Sequence, residues 1–254
     1  MATASESFDR LLADAAAQEF SGWDFSWALD RWREDPPPWD YAAIVRAHLN
    51  GVHTLLDMGT GGGEFLSSLV PLPDQTYATE GYLPNVPVAR NRLEPLGVHV
   101  VVSDDADELP FASEFFDLII NRHDAFAGSE LFRALKPGGT FVTQQVGGRN
   151  CIELNEFLQE EVDHEFSQWT LDREVDLLRN AGLEILRSEE SYTPSIFFDI
   201  GAVVRYLTII EWQIADFSLS RYGNRLLAMH RHILDQGEFR AHSHRFLIIA
   251  RRPA

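Results

Sequence analysis

The sequence predicts an α/β fold built on a doubly wound, mostly parallel sheet. Two observations carry that expectation. From residue 54 to about residue 145, short apolar or β-branched runs alternate with helical segments through short links. The first of those runs, Thr54-Leu55-Leu56-Asp57-Met58, leads directly into Gly59-Thr60-Gly61-Gly62-Gly63. A glycine-rich reversal at the carboxyl end of a buried strand is where open α/β sheets hold their ligands. Right-handed crossovers then put helices on both faces.

The elements follow in order. Ser5 to Phe20 carries apolar residues at helical spacing, and an aromatic stretch, Phe20 to Trp27, comes next. Pro36-Pro37-Pro38 stops any helix, and another begins near Trp39-Asp40-Tyr41 and runs to about Leu49. So many aromatics ahead of the first strand suggest an N-terminal helical cap over residues 1–50. After the glycine turn, Glu64 to Leu69 is a helix, Gln75 to Thr79 a strand closed by Glu80, and Asn85 to Leu96 a helix stopped by Gly97. Strands are expected at Val98 to Val102, Phe115 to Asn121 and Thr140 to Gln145. A helix spans Ser129 to Leu135, with Lys136-Pro137-Gly138-Gly139 as a turn.

Beyond Gly147 the spacing loosens. Helices are expected over Cys151 to Phe166 and Leu171 to Asn180, the latter capped by Thr170 and stopped by Gly182. Strands follow at Leu183 to Glu190 and His244 to Arg251. About fifty residues separate them, with two helical segments, Asp199 to Trp212 and Ser220 to Gln236. An insertion of that size, residues 191–240, is a candidate lid beside the α/β domain of residues 51–190 and 241–254.

With 254 residues and 45% hydrophobic content, the chain can bury a sizeable core. Its formal charge of −18 repels phosphate backbones, so a nucleic-acid partner is disfavoured. The C-terminal end differs: from Arg221 onward, seven arginines face only Asp235 and Glu238. Cys151 is the single cysteine, which rules out an intrachain disulfide and a four-cysteine zinc site. His230 and His232 are two apart and diverge on a helix, and no grouping of His, Cys and acids makes a metal site. Met1 to Gln18 lacks the apolar core of a signal peptide, and no run reaches the roughly 20 apolar residues of a membrane helix. The expected compartment is the cytoplasm.

Three acidic features line up for ligand binding. Asp57 precedes the glycine turn, Glu80 closes the second strand, and Asp105-Ala106 lies just past the third. A carboxylate at the end of strand two can accept from both ribose hydroxyls of a nucleoside. An acid or carbonyl past strand three can accept from an adenine amine. Dinucleotide binding needs a third glycine to pack its helix on the strand; counted from Gly59, that position is Glu64. No Gly-Lys-Ser/Thr follows, so the phosphate loop of nucleotide hydrolases is absent as well.

Together these motifs resemble the class I S-adenosylmethionine-dependent methyltransferases. Leu55 to Gly63 is similar to that family's first motif and Glu80 to its acidic second one. Asp105-Ala106 with Leu109-Pro110-Phe111, followed by Phe116-Asp117, resembles the small-molecule branch, and Leu135 to Gly139 resembles the turn before the fifth strand. The resemblance covers residues 50 to 145 and the order of elements beyond. It implies a Rossmann-like sheet with an antiparallel last strand and S-adenosyl-L-methionine as cofactor. In it Gly59, Thr60 and Gly61 would meet the methionine moiety and Glu80 the ribose, while Asp57 would either bind the cofactor or only orient the glycine turn through backbone N–H bonds. Gly81 and Tyr82 would lie beside the adenine, with Asp105 and Ala106 at its amine and ring edge. Asn121, Arg122 and His123 would stand near the methyl donor.

Methyl transfer from a sulfonium is an in-line substitution that relies on proximity and alignment. A base is required only if the acceptor must lose a proton, and His123 is the candidate. Trp39 and Tyr41 are candidates to close the donor pocket. The family's Asn/Asp-Pro-Pro-Tyr/Phe motif, which goes with nitrogen methylation of nucleobases or amides, is replaced here by Asn121-Arg122-His123-Asp124. A small-molecule acceptor is therefore expected. The alternatives are a tRNA or rRNA base methyltransferase using the basic C-terminal segment, and a cofactor-binding protein without transferase activity.

Overall fold

A computed structural model describes residues 4–17, 26–162 and 166–254. The aromatics from Phe20 to Phe25, the end of the first expected helix and His164 lie outside them. In chain order the elements begin with α1 (Ala4–Ala17), β1 (Trp32–Glu34), α2 (Tyr41–His48), β2 (Thr54–Met58) and α3 (Glu64–Ser67). Next come β3 (Gln75–Glu80), α4 (Val86–Leu93), β4 (His99–Val102), β5 (Phe116–Arg122), α5 (Gly128–Ala134) and β6 (Leu135–Val146). The chain continues through α6 (Ile152–Leu158), α7 (Leu171–Asn180), β7 (Glu184–Phe197), α8 (Ile200–Ile209), α9 (Leu219–Gln236) and β8 (Phe239–Arg251). The strands are hydrogen-bonded in the order β1-β7-β8-β6-β5-β2-β3-β4.

The chain divides into two compact units. The sheet unit comprises Pro38–Gly147, Gln168–Ser191 and Arg245–Ala254; the helical unit comprises Met1–Pro37, Gly148–Ser167 and Tyr192–His244. In the sheet unit β2 lies between β3 and β5, parallel to both, and every residue of β2 is buried. A parallel strand with both faces covered is mostly apolar, as Leu55, Leu56 and Met58 are, with Thr54 and Asp57 as its buried polar members. β4 extends the sheet beyond β3, β6 pairs parallel with β5, and β8 runs antiparallel to β6. The chain thus builds outward from β2 through β3 to β4, then starts again on the other side with β5. That reversal opens a crevice at the carboxyl ends of β2 and β5, where Met58 pairs with Asn121.

One apolar cluster on the sheet includes Val45, Leu55, Leu66, Leu93, Leu118 and Leu247; another includes Leu56, Ile119, Leu131, Phe141, Leu178 and Phe246. Asp40 caps α2 by accepting from the Ala43 N–H at 2.9 Å. The only lysine, Lys136, donates to Asp117 at 2.7 Å, and Asp117 also takes the N–H groups of His53 and Thr54. One carboxylate thereby ties together the starts of β2, β5 and β6.

The helical unit has its own core, with Phe8, Leu154, Phe197, Val203, Leu226 and Met229. Asp199 caps α8 through the Ala202 N–H and accepts two guanidinium bonds of Arg31, at 2.6 and 2.8 Å, while a third goes to Asp14. β1 pairs antiparallel with Ser195 to Phe197 of β7.

Several boundaries differ from the sequence expectation. The helix expected to reach Phe166 ends at Leu158, because Gln159 is extended (φ −98°, ψ 151°). Lys136 to Gly139 does not form a separate turn but runs within β6, where Gly138 and Gly139 exchange backbone bonds with Arg252. β7 continues seven residues past Glu190, and β8 starts five before His244. Both extensions are polar at alternate positions, which masks a strand between two helical runs. No helix among the described residues is long and apolar enough to cross a membrane.

Candidate active site

The site is built inside the sheet unit at the reversal between β2 and β5. Past Met58 the chain passes through Gly59, Gly61 and Gly63 with φ of 63°, 61° and 81°. Left-handed backbone at three alternate positions is open to glycine and costly to other residues. The turn is held to β3 by the Thr60 N–H on the Thr79 carbonyl (2.8 Å) and the Gly59 N–H on Thr79 Oγ1 (3.2 Å). Below it, Asp57 is buried and accepts from Thr60 Oγ1 at 2.7 Å. Asp57 is therefore a brace for the turn. Burial raises its pKa to about 7, with Asp124 and Glu80 adding to the shift and Thr60 and Arg122 opposing it.

The glycines differ in what surrounds them. A Cβ on Gly59 would overlap the Asp124 side chain, and one on Gly63 would overlap Leu93. A Cβ on Gly61 would meet no protein atom within 4 Å. The turn thus opens onto free space at Gly61.

Glu80 stands beside that space at the end of β3, almost fully buried. Its Oε1 accepts from the Tyr82 N–H at 2.7 Å, and the N–H groups of Gly61 and Gly81 also bond to it. Burial raises its pKa and these backbone bonds pull the other way. The carboxylate is fixed across two loops. Gly81 packs so tightly on Asp104 that a Cβ would not fit, and Tyr82 is exposed. Past β4, Asp105 turns inward on its own loop, its Oδ1 accepting from the N–H groups of Asp107 (2.8 Å) and Glu108 (3.1 Å), with Ala106 half-buried beside it. The Leu109-Pro110-Phe111 segment that follows is pinned from α5. Glu130 takes the Leu109 N–H, and Arg133 donates to the carbonyls of Leu109 and Phe111.

At the end of β5, Asn121 is fully buried, while Arg122 and His123 are exposed to the crevice. His123 is left-handed (φ 68°), an uncommon state for a residue with a Cβ. It is surrounded by protein despite its open face. That setting, with Arg245 and Arg122 nearby, pushes its pKa down to about 3. The imidazole is neutral across the physiological range. Asp124 beside it has its pKa raised by burial.

The structure also brings in residues that motif reading passed over. Gln145 Nε2 donates to Asn121 Oδ1 (2.7 Å), the Asp124 carbonyl (3.0 Å) and Thr143 Oγ1 (2.8 Å). Gln144 Oε1 accepts from the Trp39 indole at 2.8 Å, and its amide lies 3.4 Å from His123 Nε2. Tyr41 donates from its hydroxyl to the carbonyls of Asn121 (2.9 Å) and Val142 (3.1 Å). Trp39, expected as a pocket wall, is itself buried in the core and reaches His123 through Gln144. The missed signal was in the chain: Thr143-Gln144-Gln145 is a polar run at the end of an apolar strand, and all three are buried.

The donor set fits a sulfonium nucleoside. Asp57, Glu80 and Asp124, each with its pKa raised first by burial, lie along the turn, at Thr60, Gly61 and Gly59 in that order. Buried acids of this kind favour a ligand bearing hydroxyls and positive charge. They do not suit a pyrophosphate. The Glu64 carboxylate, paired with Arg92, lies against Gly62 where a phosphate would need bare N–H groups.

Comparison with known proteins agrees with this chemistry. The methyltransferase-domain family matches residues 56–143. A protein-L-isoaspartate O-methyltransferase of Brucella anthropi is 28% identical over 128 residues, 48% of this chain and 59% of that protein. A malonyl-[acyl-carrier protein] O-methyltransferase of Marinomonas sp. is 29% identical over 193 residues, 71% of this chain and 66% of that one. This chain therefore spans less than two thirds of the length of these relatives. Among solved structures, a protein of Bacillus halodurans C-125 superposes with a TM-score of 0.58 at 20% identity, covering 85% of this chain and 99% of its own, a likeness of fold. Residues 56–143 match the methyltransferase-domain family, and this part of the chain is a methyltransferase domain.

Proposed function

We propose that the protein transfers a methyl group from S-adenosylmethionine to a small-molecule acceptor. The observation that carries this reading is Glu80, a buried carboxylate fixed by backbone N–H groups beside the open face of Gly61. When bound, the cofactor supplies an electrophilic methyl group on a sulfonium. The residues do the rest by binding and alignment. Glu80 accepts the ribose hydroxyls, and Gly59 to Gly61, braced by Asp57 through Thr60, receives the methionine moiety. Asp105, Ala106, Gly81 and Tyr82 border the adenine, and Asn121, Arg122 and His123 face the methyl-bearing end.

His123 is better suited to orientation than to proton abstraction. A group with a pKa near 3 holds a proton weakly at neutral pH, far from the match that general-base catalysis favours. As a neutral imidazole it accepts a hydrogen bond from an acceptor hydroxyl or amine. The alternative of an RNA acceptor draws no support from the basic C-terminal segment. Of its seven arginines, Arg221, Arg225, Arg240, Arg251 and Arg252 are paired with Asp216, Glu160, Glu238, Glu184 and Glu114. Arginines committed to acids are poor at gathering phosphates.

The test is incubation with methyl-labelled cofactor and a cell extract divided into metabolite, RNA and protein fractions. Label entering a metabolite is the expected result. Label confined to RNA would favour the base-methyltransferase alternative. S-adenosylhomocysteine binding without turnover in any fraction would favour a cofactor-binding protein.

A further inference from the structure

The helical unit carries a second constellation, made of residues outside the site described above. An open cavity of about 450 Å³ is lined by Arg149, Ile152, Glu153, Tyr192 and His242. That volume lies within the range of small-molecule sites. All five residues belong to the helical unit.

The walls are fixed. His242 Nδ1 is 2.6 Å from Glu153 Oε1, and the His242 N–H donates to Glu153 Oε2 at 3.1 Å. The Cys151 N–H donates to the His242 carbonyl at 2.8 Å, the Arg149 N–H to His244 Nδ1 at 3.2 Å, and the His244 N–H to Asn150 Oδ1 at 3.1 Å. Tyr192 stacks on His244 with ring centroids 4.4 Å apart. Cys151 is held left-handed at φ 48°, a conformation that costs a non-glycine residue energy and persists where its surroundings enforce it.

The chemistry of the walls is specific. Among the described residues no acid pairs with the Arg149 guanidinium, and an unpaired guanidinium suits a carboxylate bidentately. Both Glu153 oxygens are already taken by His242, so its charge is largely spent within the wall. In the neutral imidazole with Nδ1–H directed at Glu153, the other ring nitrogen is an acceptor. The exposed Tyr192 ring and the Ile152 side chain offer an aromatic and an apolar face.

We propose that this cavity binds a small aromatic carboxylate bearing a hydrogen-bond donor. Arg149 takes the carboxylate, Tyr192 and Ile152 take the ring, and His242 accepts from the ring's donor group. The site stands apart from the methyl-transfer reading, because its occupancy is measured without cofactor.

The test uses 3-aminobenzoate as probe, titrated calorimetrically against the full chain, with 3-aminobenzamide, benzoate and cyclohexanecarboxylate as controls. The expected result is saturable binding of 3-aminobenzoate, weakened on the order of tenfold when the carboxylate becomes the amide or in Arg149→Gln. Cyclohexanecarboxylate should bind several-fold more weakly than benzoate to the native chain, and Tyr192→Leu should erase that preference for the aromatic ring. S-adenosylhomocysteine binding and the thermal midpoint are measured on each variant as checks of folding. Absence of saturable binding to the native chain would overturn the proposal. So would equal affinity for acid and amide, or Arg149→Gln binding like the native chain. S-adenosylhomocysteine binding that survives any of these outcomes would leave the methyltransferase reading standing.

Discussion

Gln145 Nε2 donates to Asn121 Oδ1 across 2.7 Å, and this bond joins the ends of β5 and β6 beneath the crevice. The same amide also meets the Asp124 carbonyl and Thr143 Oγ1. Both side chains are buried, so neither has water as a substitute. Gln145→Leu keeps the volume but removes the donor, leaving the Asp124 carbonyl without this partner and Asn121 Oδ1 with Thr143 Oγ1 at 3.2 Å. A loss of about 2 kcal/mol in unfolding free energy is expected, since an orphaned buried polar group costs about 1–3 kcal/mol. The loop carrying His123 and Asp124 loosens with it, so S-adenosylhomocysteine affinity should drop by more than stability alone explains. Urea denaturation beside calorimetric titration separates the two effects. Unchanged affinity in a destabilised variant would show that the network serves the fold only.

Gly59 and Gly61 share a backbone conformation and differ in surroundings, which makes them a matched pair. Alanine at either position carries the left-handed penalty of roughly 1 kcal/mol. Gly59→Ala adds an overlap with the Asp124 side chain and should be the less stable protein. Gly61→Ala adds no overlap with protein, yet its methyl enters the space assigned to the ligand. It should melt closer to the native protein while losing S-adenosylhomocysteine binding by a hundredfold or so, about 2.7 kcal/mol. Thermal melts with and without the ligand check both. A Gly61→Ala variant that binds normally would move the ligand away from the turn.

The parts of the site legible in the sequence are those whose chemistry is local. The glycine turn, Glu80 and Asp105 announce themselves because φ, strand end and loop acid are properties of a few consecutive residues. The supporting shell is not local: Trp39 reaches Gln144 across 105 positions and Tyr41 reaches Asn121 across 80. No short pattern encodes such pairings. The parallel core was readable from apolar runs, whereas the extensions of β7 and β8 alternate polar residues and merged with the helical segment between them. The roles of Asp57 and Asp105 sharpened for a related reason. An acid's neighbours decide whether it braces a turn or meets a ligand, and Thr60, Asp107 and Glu108 make both of these acids braces in part.

Asp57 should make cofactor binding proton-linked. Its pKa is about 7 in the free protein against about 3.9 in an unfolded chain. A carboxyl whose folded pKa is raised holds its proton more tightly when folded, so its contribution to stability declines as pH rises from about 4 to 7. A cationic ligand favours the ionised form, so binding should expel a proton near pH 6, and affinity should climb with pH before levelling above 7. Asp57→Asn keeps the acceptor for Thr60 and removes the titration. Calorimetry at pH 6 in two buffers of different ionisation enthalpy should show proton release in the native protein and less in the variant. Equal release in both would assign the linkage to Asp124 or Glu80, whose pKa values are also raised.

Lys136 and Asp117 govern acid stability in the opposite sense. Although desolvation opposes it, the bonds from Lys136, Thr54 and His53 hold the Asp117 pKa down at about 2. A depressed carboxyl contributes stability that is complete above its unfolded pKa near 4 and is lost as pH falls toward 2. Lys136→Met removes the 2.7 Å ion pair but leaves the N–H donors of His53 and Thr54 in position. Both side chains are partly exposed, so solvent screening limits the loss at pH 7 to about 1 kcal/mol. Asp117→Ala strands those backbone donors as well and should cost more, about 2 kcal/mol. Unfolding free energies at pH 7 and pH 3 test this ordering, and the gap between native and Asp117→Ala should narrow at the lower pH. A gap that stays constant would mean that Asp117 acts through packing rather than charge.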